Sequence, residues 1–207
     1  MDRKQHWERV YGAKPVTEVS WYAPHLEQSL AMIRTVADPS AAIIDVGAGA
    51  SSLVDDLLDL GYPRVTLLDV SSAALAVTRV RLGARAEEIL WIAGDVTTVD
   101  LFGKAYDVWH DRTVFHFLTE PADRRAYVRV ATECLKPGGH AILATFSLEG
   151  PMRCSGLDVI RYDAESLSRE LGPAFALRQE THESHCTPSG AKQSLLYCLF
   201  ERVGERS

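Results

Sequence analysis

From Ala41 onward the chain alternates short apolar, β-rich runs with helical patterns, and that rhythm leaves few folds open. Parallel strands need a crossover between them, so strand–helix–strand repetition predicts an α/β domain, a mostly parallel sheet with helices on both faces. The first run, 41–46, ends in glycines. A helix over 51–60 follows, with Leu53, Leu57 and Leu60 at helical spacing and Gly61 as its stop. Residues 64–69 form the second strand. Ser71 is placed to cap a helix running to Leu82, which Gly83 ends. Strands over 88–93 and 105–110 come next, then a helix opened by Pro121 and broken by Lys136-Pro-Gly-Gly139, then a fifth strand over 140–146.

The end of the chain changes character. A helix over 164–171 precedes two β-like runs, 175–180 and 193–202. About twelve residues join them, including Thr187-Pro-Ser-Gly190, which suits a hairpin loop better than a crossover helix, so the pair is expected to be antiparallel. Ahead of the first strand, Leu26, Leu30 and Ile33 mark one face of a helix, itself preceded by the aromatics Trp7, Tyr11, Trp21 and Tyr22. No repeat or linker interrupts the 207 residues, which read as one domain. Its parts are a helical lead or lid over 1–38, a core over 41–146, and an acceptor-side segment with the final strand pair over 147–207.

Lys and Arg total 22 against 28 Asp and Glu, a net charge of −6, and no basic run stands out. A nucleic-acid backbone is therefore not the expected partner. No stretch approaches the roughly 18 apolar residues of a membrane helix, and the charged N-terminus lacks the apolar core of a secretion signal. A cytoplasmic protein is expected. Cys134, Cys154, Cys186 and Cys198 form no CxxC pair, so neither a disulfide framework nor a cysteine-pair zinc site is expected. Cys154 and the His182-Glu-Ser-His185-Cys186 cluster hold soft ligands, but their spacing assigns no metal site.

The sharpest local signal is Asp45-Val-Gly47-Ala-Gly49 directly after the first strand. Glycine there permits a tight turn and the close approach of a ligand. Asp69 closes the next strand, where a carboxylate can accept two hydrogen bonds from a ribose diol. Gly94-Asp95-Val96 adds a third carboxylate after the third strand. A nicotinamide dehydrogenase uses similar parts. Against it stand Ser52 in the place of a third glycine, Asp45 two residues before the first, and the long helical lead.

The ordered series Ile43-Ile-Asp-Val-Gly-Ala-Gly49, Leu67-Leu-Asp-Val-Ser71, Gly94-Asp-Val96, Tyr106-Asp-Val-Trp-His-Asp111 and Leu135-Lys-Pro-Gly-Gly139 resembles the motifs of class I S-adenosylmethionine-dependent methyltransferases. Ser20-Trp-Tyr22 and His185-Cys-Thr-Pro188 are similar to a small stand-alone bacterial subgroup. The resemblance implies a Rossmann-like, seven-stranded sheet of order 3-2-1-4-5-7-6 with strand seven antiparallel. It implies S-adenosylmethionine as cofactor and S-adenosylhomocysteine as product. Asp45, Gly47, Ala48 and Gly49 would then belong to the turn beside the methionine part. Asp69 would hold the ribose, Val70 would pack on adenine, and Asp95 and Val96 would face its edge. His110 and Asp111 would border the transferred methyl.

Acceptor-side candidates cluster where the fourth strand ends. Asp111 and His116 are the candidate catalytic groups, although Asp111 as a helix cap and His116 as a buried wall are the plain alternatives. Arg112 can hold a carboxylate, Trp21 and Tyr22 can cover a sulfonium, and Cys154 and His185 lie in segments that overhang such sites. The expected activity is methyl transfer to a small molecule. A protein lysine or arginine acceptor, or a non-catalytic cofactor binder, are the alternatives.

Overall fold

The computed structural model describes residues 2–13, 15–101 and 106–204. In chain order the elements are α1 (Arg3–Ala13), α2 (Glu27–Val36), β1 (Ile43–Val46), α3 (Leu53–Asp59), β2 (Val65–Asp69), α4 (Ser72–Leu82), β3 (Leu90–Ala93), β4 (Tyr106–Arg112), α5 (Pro121–Cys134) and β5 (Leu135–Phe146). There follow β6 (Arg153–Cys154), β7 (Leu157–Asp158), α6 (Ala164–Leu171), β8 (Phe175–Cys186) and β9 (Lys192–Arg202).

β1 and β2 are buried at every position, as central strands covered on both faces must be. One face packs Trp109, Phe115, Tyr127 and Leu167 against α5 and α6. The other packs Met32, Ile33, Leu53 and Leu57, from α2 and α3. Seven strands form the main sheet in the order β3-β2-β1-β4-β5-β9-β8. Because β6 and β7 make a small separate hairpin, the sixth and seventh strands of the sheet are β8 and β9. The order is then the expected 3-2-1-4-5-7-6. β9 runs antiparallel to both β5 and β8, while the other pairings are parallel.

Three details depart from the sequence reading. β5 begins at Leu135, because Leu135 already pairs with Tyr106 before a bulge carries the register to Val108–His140. β8 continues to Cys186, so the hairpin loop shrinks to residues 187–191. That extension is polar and exposed at alternate positions, as suits an edge strand. The aromatic lead contains a helix of its own, α1, with no buried residue. Ala105, the expected start of the fourth strand, lies outside the described residues. Among those residues no helix is long and apolar enough to cross a membrane.

Helix ends follow local chemistry. Ser71 accepts a hydrogen bond from Ala74 N–H and caps α4, and Gly83 takes a φ of 57° at the other end. At α6, Asp163 and Ser166 form a reciprocal capping box. Asp163→Ala is expected to cost about 1 kcal/mol of stability. Urea unfolding should show a lower midpoint at unchanged slope, because the cap adds little buried surface.

Candidate functional site

The turn after β1, the ends of β2 and β4 and the loop after β3 meet at one rim of the sheet and open a cleft there. Gly47 and Gly49 take φ values of 66° and 51°, a region other residues adopt only with strain. A Cβ at Gly47 would collide with Val114, and one at Gly49 with the Tyr11 hydroxyl. The turn is therefore tight in both backbone and surroundings.

Asp69 sits at the centre. Gly49 N–H donates to one carboxylate oxygen at 2.8 Å and Ser71 N–H to the other at 2.7 Å. Burial pushes its pKa up to about 6 against the lowering effect of those two donors, with Asp45 raising it further. Val46, Leu68, Val70 and Val96 form apolar walls beside it. Asp95 stands at the far end. Its side chain accepts from Thr97 N–H and hydroxyl at 2.8 and 2.7 Å, and from Arg3 at 3.0 Å.

α1 roofs the cleft. Arg3 pairs with Asp95 and Asp123, and the Glu8 carboxylate accepts from Ser72 and Ala73 N–H at the start of α4. Trp7 packs edge-on against Trp21 and Phe117, and Tyr11 packs edge-on against Trp21. Desolvation raises the Tyr11 phenol pKa well above its ordinary value, with the neighbouring Asp69 acting in the same direction. A second, smaller cavity lies on the other side of Trp21, Gly47 and Arg112. Asp45, Ala48, His110 and Tyr22 line it.

Residues 43–139 match the family described as "Methyltransferase domain". The ubiquinone/menaquinone biosynthesis C-methyltransferase UbiE of Methylobacterium nodulans is 34% identical over 145 residues, which are 68% of this chain and 55% of that protein. The eEF1A lysine and N-terminal methyltransferase of Mus musculus is 23% identical over 107 residues, 52% of this chain and 15% of that one. The chain thus spans only part of these relatives' length. A solved structure described as "Conversion of a Disulfide Bond into a Thioacetal Group during Echinomycin Biosynthesis" superposes with a TM-score of 0.81 at 17% identity, covering 99% of this chain and 93% of the other. The 1,6-didemethyltoxoflavin-N1-methyltransferase of Burkholderia thailandensis, solved with S-adenosylhomocysteine, gives 0.69 at 18% identity over 94% and 81%.

The chain carries a class I methyltransferase domain.

S-adenosylmethionine is the cofactor of that domain, and the residues of the cleft fit it: two carboxylates for polar edges, apolar walls for a base, and a glycine turn between them. Of the residues expected around it, Gly47, Asp69, Val70, Asp95 and Val96 line the cleft, and Gly49 joins Asp69 through its N–H. Arg112, Trp21 and Cys154 line it as well. Arg3 and Phe117 carry no mark of the site in the sequence, where Trp7 and Tyr11 stand only as part of the aromatic lead. The (i, i+4) spacing of Trp7 and Tyr11 in an otherwise charged segment was the available signal.

Other expected residues are placed elsewhere. His110 does not line the cleft; its ring is held between Asp45 at 2.7 Å and Ser29 at 2.9 Å, all three buried. Asp45 and Ala48 face the second cavity rather than the first. Asp111 is fully buried, accepting from Val114 N–H, Phe115 N–H and the Tyr127 hydroxyl at 2.8, 3.1 and 2.6 Å. It fixes the turn after β4 rather than pointing at an acceptor, and burial raises its pKa to about 6. His116 is fully buried between Phe117 and Phe146, and its Nδ1 accepts from Phe146 N–H at 3.3 Å. Burial lowers its pKa to about 3, so it is a weak base with no view of the cleft. His185 bonds the Ser20 carbonyl at 2.8 Å, behind Trp21 rather than in the cleft wall. Among the described residues no group of three or more His, Cys, Asp or Glu gathers to hold a metal.

Three outcomes are expected. Affinity for S-adenosylhomocysteine should fall as the pH drops through about 6, because only ionised Asp69 accepts two ribose hydroxyls. Asp69→Ala should weaken binding about tenfold to a hundredfold. Calorimetry at several pH values checks both, and a flat profile in the unsubstituted protein would remove Asp69 from the contact. Asp111→Ala should cost at least about 3 kcal/mol of stability, since three donors, two of them buried, lose their acceptor. Normal stability with lost turnover would return that carboxylate to catalysis.

Proposed function

We propose that the chain transfers the methyl group of S-adenosylmethionine to a small-molecule acceptor that brings its own nucleophile. The observation that carries this reading is the roof of Trp7, Tyr11, Trp21 and Phe117 over the cleft. It favours an enclosed compact acceptor over an extended peptide. The alternative, a protein acceptor, is favoured by the name of the mouse relative.

When bound, the cofactor supplies a methyl group on a positively charged sulfur, already activated for displacement. The protein's part is alignment and exclusion of water, and in favourable intramolecular cases alignment alone lowers a barrier by about 7–11 kcal/mol. Asp69 and the 47–49 turn would hold the nucleoside, and the cofactor would supply an electrophilic carbon whose leaving group is a neutral thioether. The aromatic faces of Trp7 and Trp21 suit a sulfonium.

Proton removal is the step for which the cleft is poorly equipped. Its titratable walls are Asp69, Asp95, Tyr11, Cys154 and two arginines, and the two carboxylates are already engaged. A neutral amine or a thiolate meets that limit, because neither needs a protein base before attack.

Incubation with labelled S-adenosylmethionine and panels of thiols, amines and phenols tests the reading. Labelled small thioethers or methylamines are expected, with phenols methylated least. A labelled protein band from a cell lysate, without any labelled small product, would transfer the assignment to the protein-acceptor reading.

A further inference from the structure

Arg112 has more hydrogen-bonding capacity than its protein neighbours use. Its side chain is only 6% exposed. Nε donates to the Tyr197 hydroxyl at 3.0 Å and Nη1 to the Trp21 carbonyl at 2.9 Å. Nη2 is buried and has no hydrogen-bond partner among the described residues. The nearest carboxylate, Glu183, stands 4.0 Å away, beyond hydrogen-bond reach and itself partly exposed. A buried guanidinium nitrogen is costly to leave unmatched, so its free edge marks a place for an acceptor oxygen.

The position is a junction. Arg112 lines both the cleft and the second cavity, with Trp21 and Gly47 beside it. Thr113, the next residue, is held at a φ of 72° by a bond from its N–H to Ala144 O at 2.8 Å. A non-glycine residue there is strained, and it faces the same cleft. Val114, Phe117 and Cys154 complete an apolar surround in which a charge pair is little screened.

Which ligand supplies the oxygen follows from the direction of the side chain. Nε reaches Tyr197 on β9, and Nη2 lies nearest Glu183 on β8. The guanidinium thus extends past β5 into the half of the sheet opposite β2, where Asp69 stands. With Nε and one Nη1 hydrogen tethered to protein, Nη2 is the nitrogen left without a partner among the described residues.

We propose that Arg112 anchors the acceptor, its free Nη2 binding a carboxylate-type oxyanion on the small molecule to be methylated. The inference rests on the methyl-transfer reading above. The methionine carboxylate of the cofactor has the same chemistry, and the experiment separates the two sources.

The test is calorimetry on full-length protein saturated with S-adenosylhomocysteine, titrated with benzoate against benzamide and mercaptoacetate against mercaptoacetamide. At least one carboxylate should bind about tenfold tighter than its amide, the scale of one charge-assisted contact. Arg112→Gln should erase that preference while leaving affinity for S-adenosylhomocysteine within about twofold. Glu183→Gln should strengthen carboxylate binding, because a nearby like charge is removed. No carboxylate preference in either pair would overturn the proposal. So would an equal loss of S-adenosylhomocysteine affinity in Arg112→Gln, which places the contact on the cofactor. If Arg112→Gln fails to fold, the matched pairs on the unsubstituted protein and Glu183→Gln still decide. Absence of S-adenosylhomocysteine binding in the unsubstituted protein would instead sink the methyl-transfer reading itself.

Discussion

A single buried carboxylate, Asp69, is shared between two turns: one oxygen takes the Gly49 N–H, the other the Ser71 N–H. The first bond holds the glycine turn after β1 against the end of β2. The second fixes the residue whose hydroxyl then caps α4. Two backbone donors thus find an acceptor at a point where neither strand nor helix supplies one. The rim of the sheet acquires a fixed shape and a negative charge at the same place. The cleft is built around that arrangement.

β4 shows how strand alternation distributes chemistry. Successive side chains point to opposite faces, so Asp111 turns toward α5 and Tyr127 while His110 and Arg112 turn toward α2 and β9. Three consecutive polar residues consequently do three different things. Asp111 locks the backbone turn that carries Val114 to the cleft wall. His110 bridges β1 and α2 through Asp45 and Ser29. Arg112 alone keeps an unspent donor.

The sheet strands, their order and the Gly47–Asp69 pairing were legible because each leaves a local mark: an apolar run, a turn residue, an acid at a strand end. Asp111 and His116 were misplaced because spacing says which residues sit near a strand end but not which way each faces. The parity that buries Asp111 depends on Tyr127, a partner sixteen positions away. The polar half of β8 had no apolar alternation to read, since an edge strand's outer positions need none. α1 was equally hidden. Its residues are largely polar or charged and none is buried, so no core-facing stripe announces a helix.

That same absence of a stripe governs how the roof behaves. Arg3 and Glu8 fasten α1 through partly exposed ion pairs and hydrogen bonds, contacts that water replaces at small cost. Lifting the helix therefore uncovers aromatic faces but breaks into neither hydrophobic core. The helix over the cleft contributes no residue to the packing that holds the sheet together, and the shape of the rim beneath it is set without α1.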